Sequence, residues 1–145
     1  MSVKCKGKLT RRGAVFIILA FAVILAFVVL ACSEGEGEGL ESAEERCEYL
    51  GSLGWDADPA TESGKTVILP AELTGVIAQY NALQKEQGFD LEPYCGKELE
   101  SWSYELRSYP NGEENVTAQL YTYKGKAVAG DIHSNKLGGF MHGIK

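Results

Sequence analysis

Near its C-terminal end the chain holds three side chains that can bind a metal or transfer a proton: Asp131, His133 and His142. Asp131 and His133 are two positions apart, so in a β-strand both lie on the same face. A carboxylate with two imidazoles can bind zinc, but the histidines are nine positions apart, which is not a ligand spacing typical of a helix or a tight loop. We therefore interpret these residues as solvent-exposed positions at a strand end, and predict no metal site and no other cofactor.

Other catalytic patterns are also missing from residues 33–145. This stretch contains no GxSxG, HExxH or CxxC motif, no phosphate-binding glycine loop and no zinc-ribbon spacing. Adjacent carboxylates occur at Glu44–Glu45 and Glu113–Glu114, but neighbours along a chain do not converge on one substrate. These missing motifs do not decide whether the protein is an enzyme, but they favour a non-enzymatic function. We assign no catalytic residue.

The strongest signal in the chain is an uncharged apolar run of 18 residues, 14–31. A helix over residues 13–32 would be about 30 Å long, which matches the hydrocarbon core of a bilayer. Basic residues precede the run and an acidic stretch follows it, so the positive-inside rule predicts that residues 1–12 are cytoplasmic and the rest extracytoplasmic. We predict a single-pass protein of the cell membrane.

The end of the apolar run leaves two alternatives to a retained membrane helix. The segment Val29–Leu30–Ala31–Cys32 is similar to the cleavage box of bacterial lipoproteins, in which Cys32 would carry the lipid. A cleaved signal peptide would instead release the rest of the chain. All three interpretations place residues 33–145 outside the cytoplasm.

The residues that follow the apolar run are strongly acidic. Residues 33–145 hold nine Lys and Arg against all 20 Asp and Glu, a formal net charge of −11. Such a domain binds nucleic acids poorly, because they require clustered cations. Glu alternates with Gly from residue 34 to 39, which is typical of a flexible tether. We predict a tether over 33–40 and one domain over 41–145, whose partner besides the membrane is an unidentified protein, peptide or glycan.

Only two of the four cysteines, Cys47 and Cys95, are plainly within the predicted exterior domain. Outside the cytoplasm such a pair can form a disulfide, and closing a loop of about 50 residues would stabilise the fold by roughly 3–4.5 kcal/mol. Cys47 also lies on the apolar stripe of a predicted helix, as a core-facing partner should. We predict a disulfide between them; the alternative is that both are reduced and act as small buried apolar residues.

Two helices are predicted in this domain. Ser42 and Glu45 form a capping box at the start of the first. The second follows a β-branched strand at 65–69, with Pro70 at or just before its first turn, and Gly88 ends it. Its apolar stripe consists of Leu73, Val76, Ile77, Tyr80 and Leu83. One face of this helix must therefore pack against another element.

Three strand-like runs follow the second helix. Residues 101–107 alternate between apolar and polar, and two further runs cover 116–123 and 126–133. Pro110–Asn111–Gly112 and Lys124–Gly125 supply the turns between them. The predicted order is α-β-α-β-β-β, an α+β fold in which two helices cover one face of an antiparallel sheet of about four strands in two layers.

Two segments of the chain resemble a known family: residues 80–97 (YNALQKEQGFDLEPYCGK) and 130–144 (GDIHSNKLGGFMHGI). Residues 46–55 (RCEYLGSLGW) and the strand–Pro–helix boundary at 67–72 extend the resemblance. The family consists of short single-span proteins from clostridia-like Gram-positive bacteria and is described as a domain of unknown function. One departure is at residue 129, where the family would have a glycine. The resemblance implies a location and an architecture, and it assigns no functional residues.

Polar and aromatic side chains of the second helix, the following loop and the C-terminal segment form a candidate ligand surface. Its members are Tyr80, Asn81, Gln84, Asp90, Tyr94, Lys97 and His142. Aromatic rings beside amide groups suit a peptide or a glycan. We therefore predict a membrane-anchored interaction or sensing module; the alternatives are a small cell-envelope hydrolase and a purely structural envelope protein.

Overall fold

The computed structural model describes residues 39–145. The predicted membrane-spanning segment, its basic flank, Cys5, Cys32 and the glutamates of the tether lie outside the described residues. Among residues 39–145, no helix is both long enough and apolar enough to cross a membrane.

The first helix, α1, extends over Ala43–Ser52 and begins at the predicted capping box. The Ser42 hydroxyl accepts a hydrogen bond from the Glu45 backbone N–H (3.1 Å), and the Glu45 carboxylate accepts one from the Ser42 backbone N–H (2.8 Å). These two bonds satisfy donors that a helix start otherwise leaves unpaired. The local sequence is therefore sufficient to fix where this helix begins.

The sheet has five antiparallel strands in the order β1-β2-β3-β4-β5. Their bounds are Ser63–Ile68, Glu98–Glu105, Val116–Tyr123, Lys126–Ser134 and Met141–Gly143. The predicted antiparallel sheet and the meander β2-β3-β4 are confirmed, but the prediction of about four strands missed β5. Gly138 has a φ of +74°, which allows the reversal that brings Met141–Gly143 beside β4.

The second helix, α2, extends over Gly75–Glu86. Its predicted end is confirmed by Gly88, which has a φ of +85° and donates its backbone N–H to the Lys85 carbonyl. Its beginning differs from the prediction, because Pro70 precedes the helix by five positions and Thr74 occupies the N-cap. Residues 69–74 therefore form the connection between β1 and α2.

The two helices cover opposite faces of the sheet, so the domain has three layers and the prediction of two layers is wrong. On one face Tyr104, Leu120 and Ile132 pack in a cluster with Leu50 of α1. On the other face the cluster is built on Leu99 of β2 and includes Tyr80 of α2. Since side chains alternate along a strand, β2 supplies apolar residues to both faces.

The helix α2 packs through a different face from the one that its apolar stripe predicts. Asn81 and Gln84 are 3% and 0% exposed, whereas Val76 is 80% exposed and Ile77 37%. The side-chain oxygen Oε1 of Gln84 accepts a hydrogen bond from the backbone N–H of Gly130 at 2.9 Å. Hydrogen bonds to the main chain therefore hold the polar side of α2 against the sheet, and part of the apolar stripe faces solvent.

Arg46 is an unpredicted member of the core on the α1 side. It is 2% exposed, its Nε donates to the Tyr104 hydroxyl at 2.7 Å, and Nη2 is 2.8 Å from the Glu62 carboxylate. Its guanidinium carbon also lies 3.7 Å from the centre of a ring of Trp102. Burial would raise the pKa of Glu62, but the hydrogen bonds from Tyr104 and Arg46 outweigh it and lower that pKa. The buried charge is thus paired, and each of its three nitrogens donates a hydrogen bond.

The predicted disulfide is not present, because Cys47 and Cys95 are both free. Cys47 packs in the α1-side cluster, whereas Cys95 ends the short 3-10 turn Glu92–Tyr94 that follows α2. Burial raises the pKa of the Cys47 thiol. The two residues belong to structures on opposite faces of the sheet, an arrangement that the sequence could not define.

Candidate functional site

An apolar groove of about 560 Å³ lies between α2 and the sheet. Val76, Ile77 and Leu83 form its helix side, and Leu99 and Tyr121 lie on its sheet side. Several of its members are unusually exposed for large apolar side chains, including Ile68 (70%), Val76 (80%) and Met141 (53%). This groove will be called the α2 groove. It exists because α2 buries Asn81 and Gln84 in place of its aliphatic residues.

Tyr80 and Tyr121 meet within the groove, with ring centres 6.1 Å apart and planes at 69°. The Tyr80 hydroxyl donates a hydrogen bond to Oδ2 of Asp131 at 2.7 Å. Burial, the negative charge of Asp131 and that hydrogen bond all raise the pKa of Tyr80. Burial and the same charge raise the pKa of Tyr121. Both hydroxyls are therefore kept protonated, and Tyr80 is a fixed donor.

Asp131 links the groove to a histidine. Its side chain is only 3% exposed, and its Oδ1 lies 2.7 Å from Nδ1 of His133, whose side chain is 26% exposed. Because Tyr80 donates to one oxygen and His133 to the other, the carboxylate accepts at both ends. The predicted shared strand face is confirmed, whereas the predicted solvent exposure of Asp131 is wrong.

His133 is also placed next to the α2 groove by the strand register. Met141, which lines the groove, is the cross-strand partner of His133 in the β4–β5 pair. On the same face, Nε2 of Gln119 donates a hydrogen bond to the hydroxyl of Ser101 at 2.7 Å. The α2 groove therefore lies beside a histidine that a buried carboxylate orients.

The predicted ligand surface is divided among separate places. Tyr80 lines the groove, but Asn81 and Gln84 are buried and serve the fold. Asn81 accepts a hydrogen bond from the Leu91 backbone N–H at 2.8 Å and donates to Asp90 at 3.1 Å. Asp90 therefore helps to fix the loop after α2.

The remaining three predicted surface residues lie away from the groove lining. Nζ of Lys97 is 5.3 Å from the ring centre of Tyr94 and 5.2 Å from that of Tyr123. His142 packs on the α1 side of the sheet, where its Nε2 is 2.9 Å from the Tyr109 hydroxyl. His142 and His133 are therefore on opposite faces, and no group of three metal-binding side chains is found among residues 39–145.

Sequence reasoning missed the exposed aliphatic residues of α2 and the bond between Tyr80 and Asp131, which are 51 positions apart. The spacing of Asp131 and His133 was the available signal for the histidine pair. The spacing of Asn81 and Gln84, three positions apart on one helix face, was the available signal that α2 could pack through polar groups.

Fold and site together define a small α+β domain with an open apolar groove and a Tyr–Asp–His chain of hydrogen bonds centred on a buried carboxylate. The family model of a domain of unknown function (DUF4830) matches residues 49–132, more than half of the chain, and the protein belongs to this family. The matched segment contains Tyr80 and Asp131 and ends one residue before His133. No curated protein and no solved structure matches the chain.

Proposed function

We propose that this protein is a membrane-anchored extracytoplasmic interaction module that binds a hydrophobic peptide in the α2 groove. The observation that carries the proposal is the groove itself, with 80% of Val76 and 70% of Ile68 exposed beside a cavity of about 560 Å³. Soluble domains rarely expose several large apolar side chains together unless they bind something there. A cavity of this size falls within the range that holds small ligands and peptide side chains.

Charge indicates which peptides are suitable. Residues 39–145 hold nine Lys and Arg against 17 Asp and Glu, a formal net charge of −8. An anionic domain attracts cationic partners over distances of about a Debye length and repels anionic ones. The proposed partner is therefore a peptide segment that carries apolar and basic residues together.

The membrane location rests on the sequence alone. The apolar run at 14–31 would provide a single span or, if Cys32 is lipidated, a lipid anchor. The family resemblance likewise implies a single-span protein of the kind found in clostridia-like bacteria. An alkaline phosphatase fusion after Gly39 is expected to be active outside the cell. An inactive fusion would show that the proposed orientation is wrong.

Peptide binding can be tested with the full-length chain in nanodiscs of zwitterionic lipid. A photocrosslinking residue replaces Ile77, which lines the groove; its matched control replaces Ala78, the next residue on the helix, which is exposed outside the groove. A short peptide of alternating Leu and Lys is expected to crosslink to the protein with the photoreactive residue at 77 and not to the protein with it at 78. A peptide of alternating Leu and Glu is expected to crosslink to neither.

A binding variant completes this test. Val76→Gln removes apolar contact area from an exposed position, so it should leave the fold intact and weaken the Leu/Lys peptide by about 10-fold, as expected for one aliphatic side chain. Equal labelling at both positions, or unchanged affinity of Val76→Gln, would contradict peptide binding in the groove.

A small hydrolase is the second candidate, and the Asp131–His133 pair is the observation that favours it. A carboxylate that accepts from Nδ1 is the arrangement that orients a histidine as a general base. No hydrogen bond joins His133 to a serine, threonine or cysteine within residues 39–145. Binding therefore remains the function that the geometry supports best.

A further inference from the structure

The hydrogen bonds around Asp131 define which nitrogen of His133 faces outward. The carboxylate is almost completely buried and accepts from the Tyr80 hydroxyl and from Nδ1 of His133, each at 2.7 Å. With Nδ1 donating to this carboxylate, the neutral form of the imidazole has its lone pair on Nε2. Nε2 has no hydrogen-bond partner within residues 39–145, and the side chain is 26% exposed. His133 therefore presents a free acceptor.

The surroundings of this acceptor favour a cation. The negative charge of Asp131 lies directly behind the imidazole, and the faces of Tyr80 and Tyr121 in the groove also attract cations. Two lysines lie on strands of this sheet face: Lys65 on β1, three strands away from β4, and Lys126 on β4, seven positions before His133. Lys136, three positions after His133, has its Nζ 2.7 Å from the Glu113 carboxylate. Within residues 39–145 no lysine or arginine forms an ion pair with Asp131, so an anionic group at His133 would meet that carboxylate uncompensated.

We propose that the ligand of the α2 groove ends in a primary ammonium that donates a hydrogen bond to Nε2 of His133. This inference rests on the proposed peptide-binding function and specifies the polar end of the peptide. Met141 lines the groove and pairs with His133, so an apolar side chain in the groove and an ammonium at His133 can belong to one short segment. The ammonium can come from a peptide N-terminus or from a lysine side chain.

Three probe peptides distinguish these sources. The first is Ile-Leu-Phe amide with a free N-terminus, the second is its N-acetylated form, and the third is the acetylated form extended by a C-terminal lysine amide. Each is titrated calorimetrically into the full-length chain in zwitterionic nanodiscs. We expect at least one ammonium-bearing peptide to bind about 10-fold tighter than the acetylated one, the gain expected from one hydrogen bond to a charged group. The tighter of the two identifies the source.

Two variants separate this inference from peptide binding in general. His133→Phe is expected to abolish the difference in affinity between the ammonium-bearing and acetylated peptides, whereas Val76→Gln weakens all three peptides and keeps that difference. If all three peptides bind equally and Val76→Gln weakens them, the groove function stands and the ammonium site is wrong. A preference that persists in His133→Phe also overturns the site. Absence of binding by any peptide overturns both proposals.

A spectroscopic measurement tests the site without a variant. The chain has only two histidines, so ¹⁵N labelling of histidine gives two imidazoles to assign. The unliganded protein should show His133 as the tautomer protonated at Nδ1, and the ammonium peptide should shift its Nε2 resonance while the acetylated peptide does not. A proton on Nε2 in the unliganded protein, or equal shifts with both peptides, would refute the proposal.

Discussion

Replacement of Tyr80 by Phe tests whether Asp131 is held as a buried carboxylate beneath the groove. The substitution removes one oxygen and keeps the ring that packs against Tyr121. It therefore deletes the 2.7 Å hydrogen bond to Oδ2 of Asp131 and leaves the bond to His133 in place. We expect the domain to remain folded and to be less stable.

The size of the effect follows from the burial of the carboxylate. The Asp131 side chain is 3% exposed, so water cannot readily replace the lost donor. A hydrogen bond to a charged group contributes about 1.5–3 kcal/mol, and we expect a loss of about 2 kcal/mol in the free energy of unfolding. With a urea dependence of roughly 1–2 kcal/mol per molar for a domain of this size, the midpoint should fall by about 1–2 M.

Urea unfolding of the full-length chain in nanodiscs can be followed by the fluorescence of Trp55 and Trp102, the two tryptophans of the chain. Tyr123→Phe is the matched control, because no hydrogen bond to the Tyr123 hydroxyl is found within residues 39–145 and its ring contacts are retained. The control should change stability by less than about 0.5 kcal/mol. If Tyr80→Phe behaves like this control, the Tyr80 hydroxyl does not stabilise a buried charge and the account of the site is wrong.

Three further predictions concern the fold. Gly130→Ala should lower the free energy of unfolding by about 1–3 kcal/mol, because the added Cβ would lie 2.6 Å from Cδ1 of Ile144. Its control is Gly51→Ala in α1, where no heavy atom lies within 4 Å of the added Cβ, so this change should be neutral or stabilise by up to about 1 kcal/mol. Urea unfolding measures both effects. Burial and a hydrogen bond to a carboxylate raise the pKa of Tyr104 above its unfolded value. Its stabilising contribution is therefore present below about pH 10 and is lost as the pH rises further. Between pH 9 and 11 the free energy of unfolding, obtained from urea unfolding, should fall less steeply in Tyr104→Phe than in the unsubstituted protein, by up to about 1.4 kcal/mol per pH unit. Both cysteines of the described domain should be alkylated after denaturation without reductant, with Cys47 slow in the folded state because burial raises its pKa; a thiol that resists alkylation in the denatured chain, seen by mass spectrometry, would contradict the free-thiol structure.

The parts of the fold that the sequence predicted correctly are those that short-range signals determine. The capping box at Ser42 fixes the start of α1, and the predicted run 116–123 coincides with β3. Gly88 ends α2 through its own backbone conformation. In contrast, β5 has only three residues and no alternation, and it forms because the turn around Gly138 brings it to β4. Its pairing is a tertiary event without a local pattern.

The layer arrangement was mispredicted because a sheet with apolar residues on both faces can receive helices on either. Trp102 and Tyr104 of β2 indicated one buried face, while Leu99, Tyr121 and Ala129 build the other. The alternation in residues 101–107 alone predicts strands with one buried face. Leu99 is five positions before Tyr104 on β2 and therefore lies on the opposite face, but the predicted run 101–107 does not include it.

The candidate site and the orientation of α2 have one physical cause. Polar residues at Asn81 and Gln84 indicated a ligand surface, because amides on a helix usually face solvent. Here Gln84 is held inside by the Gly130 backbone N–H, 46 positions away, and Asn81 by the Leu91 backbone N–H. Because these bonds turn the polar side of α2 inward, Val76 and Ile77 are left to line an open groove. Asn81 and Gln84, which the sequence predicted as ligand-binding residues, therefore orient the helix whose aliphatic side chains line the groove.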